Sequence, residues 1–136
     1  MADEMIQPET LSKSALQELF EAAYLNVTID DDGDLIVKER YRSLVLPDQE
    51  GRWIQVVSLF GANPAASLAD KLAFVNRVND ELVLIRGYVT ERGGFAFDAF
   101  IPVEGGIPKR SVVLAVRQFH HVLEAVGTKD DGDVMQ

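Results

Sequence analysis

The chain has 136 residues, a formal charge of −9 and no cysteine. That length suits one domain, large enough to bury a core without a metal or a cross-link, and the missing thiols exclude disulfides, thiolate metal sites and cysteine nucleophiles. Hydrophobic residues make up 47% and charged residues 26%, and no apolar run approaches the roughly 20 residues of a membrane span, so a soluble globular protein with no membrane partner is expected.

In chain order, the opening MADEMIQPET is acidic and has no basic-then-apolar leader, which implies a cytoplasmic protein. Residues 10–24, TLSKSALQELFEAAY, put Leu11, Ala15, Leu16, Leu19, Phe20 and Ala22 on one half of a helical wheel and Lys13, Ser14, Gln17, Glu18 and Glu21 on the other. This predicts a first helix. The period then changes to two, with Leu25, Val27 and Ile29 alternating with polar residues as in a half-buried strand.

The stretch TIDDDGDLIVKE at 28–39 comes close to a twelve-residue calcium loop, with acids at the third, fifth and twelfth places and Gly33 at the sixth. Thr28 stands at the first ligand place, however, and β-type runs flank the stretch where a calcium loop needs helices. Asp32-Gly33 between two such runs predicts a hairpin turn and no metal. LIVKERYRSLVL (35–46) is one long strand or two short ones, PDQEG (47–51) is a turn, and RWIQVVSLF (52–60) is a strand apolar on both faces near its end and therefore central.

GANP (61–64) introduces a second helix over about 65–82. LVLIRGYVTE (82–91) and FAFDAFIPVE (95–104) form a hairpin through RGG at 92–94, and a third helix spans 108–126, with Pro108 at its first position and Gly127 just past its end. The order is α-β-β-β-α-β-β-α. It predicts one α+β domain over 9–126, a five-stranded antiparallel sheet with three helices packed on it, and flexible ends at 1–8 and 127–136.

Charge is unevenly spread: residues 1–34 carry −8, residues 35–126 carry +1 and residues 127–136 carry −2. Nothing clusters positively enough to attract nucleic acid. Gly-x-Ser-x-Gly is absent and no acid pair is placed for proton transfer, so neither a nucleophile nor catalytic residues are assigned. Gly93-Gly94 and Gly105-Gly106 are too short for a phosphate-binding fingerprint. His120 and His121 are helix neighbours pointing about 100° apart, which suits exposed or rim positions and not a shared metal ion. No cofactor or metal site is predicted.

On the third helix Val112, Val116, Phe119, Leu123 and Val126 form an inner face, with Arg110, Leu114, Arg117 and His121 opposite as a solvated stripe. The second helix is apolar over half its wheel, wider than a single neighbour requires. Leu72, Phe74, Val75, Val78 and Asn79 are therefore its candidate dimer or partner interface. Asn79 lies at the centre of that arc, and its amide is expected to tie the helix end to the following strand. Trp53, Phe97 and Phe100 are aromatics enough to line a pocket between sheet and helices, which would make a small-ligand sensor.

The segment 71–126, with Asn76-x-x-Asn79 late in a helix, two strands about a glycine turn, and Gly105-Gly106 before an amphipathic helix carrying Phe119, resembles the YbjN-type family, labelled bacterial sensory transduction regulators. With the helix and acidic-glycine strand pair before it, the resemblance covers most of 9–126. It implies a fold similar to type III secretion chaperones: a twisted antiparallel sheet flanked by three helices, in small acidic homodimers that hold an extended part of another protein. No catalytic residues come with it. The implied function is a non-enzymatic, homodimeric protein-binding module, chaperone-like or a regulatory adaptor, with an unidentified protein partner.

Overall fold

The computed structural model describes residues 4–136; residues 1–3, part of the end expected to be flexible, lie outside the described residues. The elements are β1 (Met5–Ile6), α1 (Lys13–Ala22), β2 (Val27–Ile29), β3 (Leu35–Lys38), β4 (Arg42–Pro47), β5 (Trp53–Phe60), α2 (Leu68–Glu81), β6 (Arg86–Val89), β7 (Phe95–Pro102), β8 (Ile107–Pro108) and α3 (Lys109–Val126). The first two helices start where a serine hydroxyl replaces the missing intrahelical acceptor: Ser12 accepts from the Ala15 N–H and Ser67 from that of Asp70.

The main sheet is antiparallel, in the order β2-β3-β4-β5-β7-β6. It has six strands where the sequence predicts five. The extra one comes from LIVKERYRSLVL, which breaks at residues 39–41, where the Glu39 N–H bonds the Tyr41 carbonyl, and doubles back as β3 and β4. A further small ribbon pairs β1 with β8, which makes Pro108 a strand residue just before α3 and not its first helical position. β5 is interior to the sheet, as its two-sided apolarity predicts.

Two turns match their sequence signals. At 30–34 the Asp30 N–H bonds the Asp34 carbonyl and Gly33 adopts φ +82°. The Asp30 carboxylate accepts the N–H groups of Asp32 and Asp34, so it organises the turn. At 90–94 the Thr90 N–H bonds the Gly94 carbonyl and Gly93 takes φ +88°.

All three helices lie on one face of the sheet. Leu16 and Phe20 of α1, Phe74 and Val78 of α2, and Val112, Val116, Phe119 and Leu123 of α3 share a core with the inward residues Leu35, Val37, Val45, Ile54, Val56, Phe95, Phe97 and Ile101. Phe74 meets Phe95 and Phe97 edge-on, at centroid separations of 5.2 and 6.2 Å. Such edge-to-face geometry is favoured by the ring quadrupoles.

Both ends, read from sequence as flexible, have packed residues. Ile6 and Val134 are buried. The Asp130 carboxylate receives the N–H groups of Val134 and Met135, and the Val134 carbonyl receives that of Asn63.

Candidate interaction surface

Alternation along the strands defines a second, helix-free face. It presents Ile36, Lys38, Arg42, Leu44, Leu46, Trp53, Gln55, Val57, Leu59, Arg86, Tyr88, Ala96, Asp98 and Phe100. Leu59, Tyr88 and Phe100 are exposed. Trp53 and Phe100 pack edge-on at 5.7 Å. A solvated sheet face normally alternates to polar residues, so this one is richer in large apolar groups than solvation requires.

Toward its β6 edge is Asp98, fully buried despite facing away from the helices. Arg86 grips its carboxylate through Nε (2.9 Å) and Nη2 (2.6 Å), and Gln55 Nε2 adds a third donor at 2.9 Å. The paired carboxylate holds the Arg86 guanidinium above its ordinary pKa. The guanidinium spreads over the Tyr88 and Phe100 rings, 5.2 and 5.6 Å from their centroids. A buried charge with three donors is stabilised in place, and here it fixes an arginine, 60% exposed in its side chain, over the Tyr88 and Phe100 rings at the edge of the sheet. The sequence reading missed this pair. A turn confined to 92–94 would set residue 86 opposite residue 100, whereas the hairpin closes between Thr90 and Gly94 and sets Arg86 opposite Asp98.

Of the five α2 residues predicted as an interface, Phe74, Val75 and Val78 are buried in the chain's own core, whereas Leu72 is 49% exposed. Asn79 does what its amide suggests, since its Nδ2 donates to the Gly87 carbonyl (3.1 Å) and its Oδ1 accepts the Gly87 N–H (2.8 Å). Phe97 lies on the opposite face of the sheet from Trp53 and Phe100, so these three do not line one cavity. The stripe Arg110, Leu114, Arg117 and His121 is exposed, and Arg117 reaches the Ala23 carbonyl at the end of α1.

His120 corrects the expectation of a rim histidine. It is 5% exposed, and its Nε2 lies 2.8 Å from the Ser43 hydroxyl on β4, itself 1% exposed. Nδ1 has no partner among the described residues. Burial pushes the imidazole below its ordinary pKa, with the Glu39 and Glu124 carboxylates pulling the other way. A Ser–His contact invites comparison with a nucleophile and its base, but both groups are sealed inside the core, out of a substrate's reach. Among the described residues no three His, Asp or Glu side chains converge on a position for a metal ion, and no helix is long and apolar enough to cross a membrane.

An antiparallel sheet with three helices on one face and an apolar opposite face defines a two-layer α+β protein. The chain belongs to the YbjN family, described as "Putative bacterial sensory transduction regulator", whose family model matches residues 12–129. Its fold is similar to that of E. coli YbjN, described as "a putative transcription regulator", with a TM-score of 0.75 and 10% identity over 93% of this chain and 96% of that one. It is also similar to a chain of the HopA1-SchA chaperone-effector complex, with a TM-score of 0.58 and 13% identity over 88% and 93% of the two chains. No curated protein matches the chain.

Proposed function

We propose that this chain is a non-enzymatic protein-binding module of the cytoplasm, a chaperone-like or regulatory adaptor that works as a homodimer. The observation that carries the reading is the helix-free sheet face. Exposed Phe100 packed on Trp53 at one end of the face, and exposed Leu59 and Tyr88 toward the other, give apolar surface of the kind that marks a protein contact. The arginine fixed on it by Asp98 suits it to polypeptide, because aromatic and arginine side chains dominate protein-binding hot spots. Likeness of fold to a chaperone solved with its effector supports the same reading.

In the homodimer, α2 offers Leu72 together with Leu68, which is 62% exposed, and Asn79 at the margin. Phe74, Val75 and Val78 support that helix from beneath. Affinity capture from the source organism, with Trp53→Ala/Phe100→Ala as the control, tests the partner-binding face. Recovery of one dominant protein, lost in the double variant, is expected; recovery of none refutes the reading. Light scattering at micromolar concentration tests the dimer, and a stable monomer there counts against it.

A further inference from the structure

β7 has eight residues and its neighbour β6 only four. The register pairs Arg86 with Asp98 at one end and Val89 with Phe95 at the other, so residues 99–102 have no strand beside them on that side. What diverts the preceding chain is Leu84, in the left-handed region at φ +60°. That conformation is uncommon for a leucine and costs about 1 kcal/mol. It leaves Val83 and Leu84 70% and 72% exposed instead of extending β6.

The gap is a groove of about 420 Å³, lined by Leu84, Ile85, Phe100, Ile101, Ala115 and Phe119, with Arg86 and Asp98 at one end. Its main-chain chemistry follows from the ladder. The Val103 N–H bonds the Arg52 carbonyl on the β5 side, and the Gly94 carbonyl receives the Thr90 N–H on the β6 side. Alternation between those two points turns the N–H and C=O of Phe100 into the gap. An open, apolar strand edge is a template for another extended chain; Pro102 offers no N–H at the far end of this one, so the ladder there rests on the Phe100 N–H and C=O and the Pro102 carbonyl.

We propose that this half-edge is the docking site for a short extended segment of another polypeptide, which adds as a strand beside residues 99–102. The inference rests on the protein-binding reading and specifies the partner's chemistry. Side chains of an added strand alternate between faces. Those turned inward meet Ala115 and Phe119 and must be apolar; those turned outward meet Phe100 and the exposed side of Arg86, which favours a carboxylate. A second copy of β7 does not fit. Set antiparallel about Phe100, its Pro102 would stand opposite Asp98, a position that Arg86 already holds. The occupant is therefore a partner segment free of its own neighbouring strand.

The test uses the full chain, isotope-labelled, and the capped hexapeptide acetyl-Val-Glu-Val-Thr-Val-Thr-amide. Saturable shifts of the Ala99, Phe100 and Ile101 amides are expected. N-methylation of the peptide's central amides should weaken binding about tenfold, the value of one lost hydrogen bond. Phe100→Pro, which deletes the edge N–H at a position where an edge strand tolerates proline, should weaken the unmodified peptide by a similar factor. The proposal is overturned by no saturable shift at millimolar peptide, by shifts that spare residues 99–101, or by equal binding of the N-methylated peptide. It is also overturned if the same three amides shift on dilution of the chain alone, which would assign the edge to a second copy. Affinity capture separates this from the wider reading. A partner held equally by the parent chain and Phe100→Pro removes the edge proposal and keeps protein binding, whereas capture of nothing by either removes both.

Discussion

The two faces of the sheet use similar residues to opposite ends. On the inner face Phe95, Phe97 and Ile101 of β7 are buried under α2 and α3. On the outer face the same strand presents Phe100 beside Trp53, and no described helix covers them. Polar groups differ as well. The inner face hides an uncharged pair, Ser43 and His120, while the outer face holds an ion pair with one partner buried and one exposed. Inner apolar residues are enclosed by the helices, whereas Leu59, Tyr88 and Phe100 on the outer face remain exposed and bury less within the domain. Aromatic content alone therefore says little about a residue's task, and the covering layer decides it.

Truncation is the most direct way to break that contrast. Phe97→Ala removes a ring enclosed by Phe60, Phe74 and Phe95 and should cost about 3–5 kcal/mol in urea unfolding. Phe100→Ala should cost well under half of that. Equal losses at the two positions would abolish the distinction. Arg86→Ala comes next, leaving the fully buried Asp98 carboxylate with Gln55 as its remaining side-chain donor. A loss of about 2 kcal/mol is expected, less than a buried pair would give because the arginine is exposed. Arg86→Ala/Asp98→Leu should recover part of it.

Asn79→Ala deletes both hydrogen bonds to Gly87 and should cost about 1–2 kcal/mol, without changing the hydrodynamic size if the amide only anchors β6. The smallest effect is acid-dependent and belongs to the inner face. Because burial holds His120 below the ordinary value of 6.5, the folded protein binds fewer protons than the unfolded chain. Its contribution is intact above about pH 6.5 and declines as pH falls below that value, toward the lower folded pKa. Thermal midpoints should drop on acidification through this range, and the drop should shrink in His120→Gln. No difference between the two proteins would mean that the site is not tight enough to matter.

Local patterns carried most of the architecture into the sequence reading. Asp32-Gly33 and Gly93-Gly94 mark turns because glycine accepts positive φ there, and the three helices show apolar stripes. The stretch 35–46 stayed open between one strand and two, and was counted as one, because Glu39, Arg40 and Tyr41 contain none of the usual turn formers. His120 escaped for a different reason. Its burial depends on Ser43, 77 positions away, and no single-element pattern records a polar partner supplied by another layer. Helix periodicity marked Phe74, Val75 and Val78 as apolar without saying whether the sheet or a partner covers them. The Arg86–Asp98 pair escaped because the hairpin closes between Thr90 and Gly94 and not at 92–94 alone, and its setting on a helix-free face requires knowing where all three helices pack.

The β1–β8 ribbon sets an order of events. Ile6 faces Ile107, so this contact closes a loop of roughly a hundred residues and carries a larger entropic cost than the hairpins do. During synthesis the first strand leaves the ribosome long before its partner exists. Ile6, buried once the ribbon forms, therefore waits for its mate while the residues between them are made, and the start of α3 is clamped only after that.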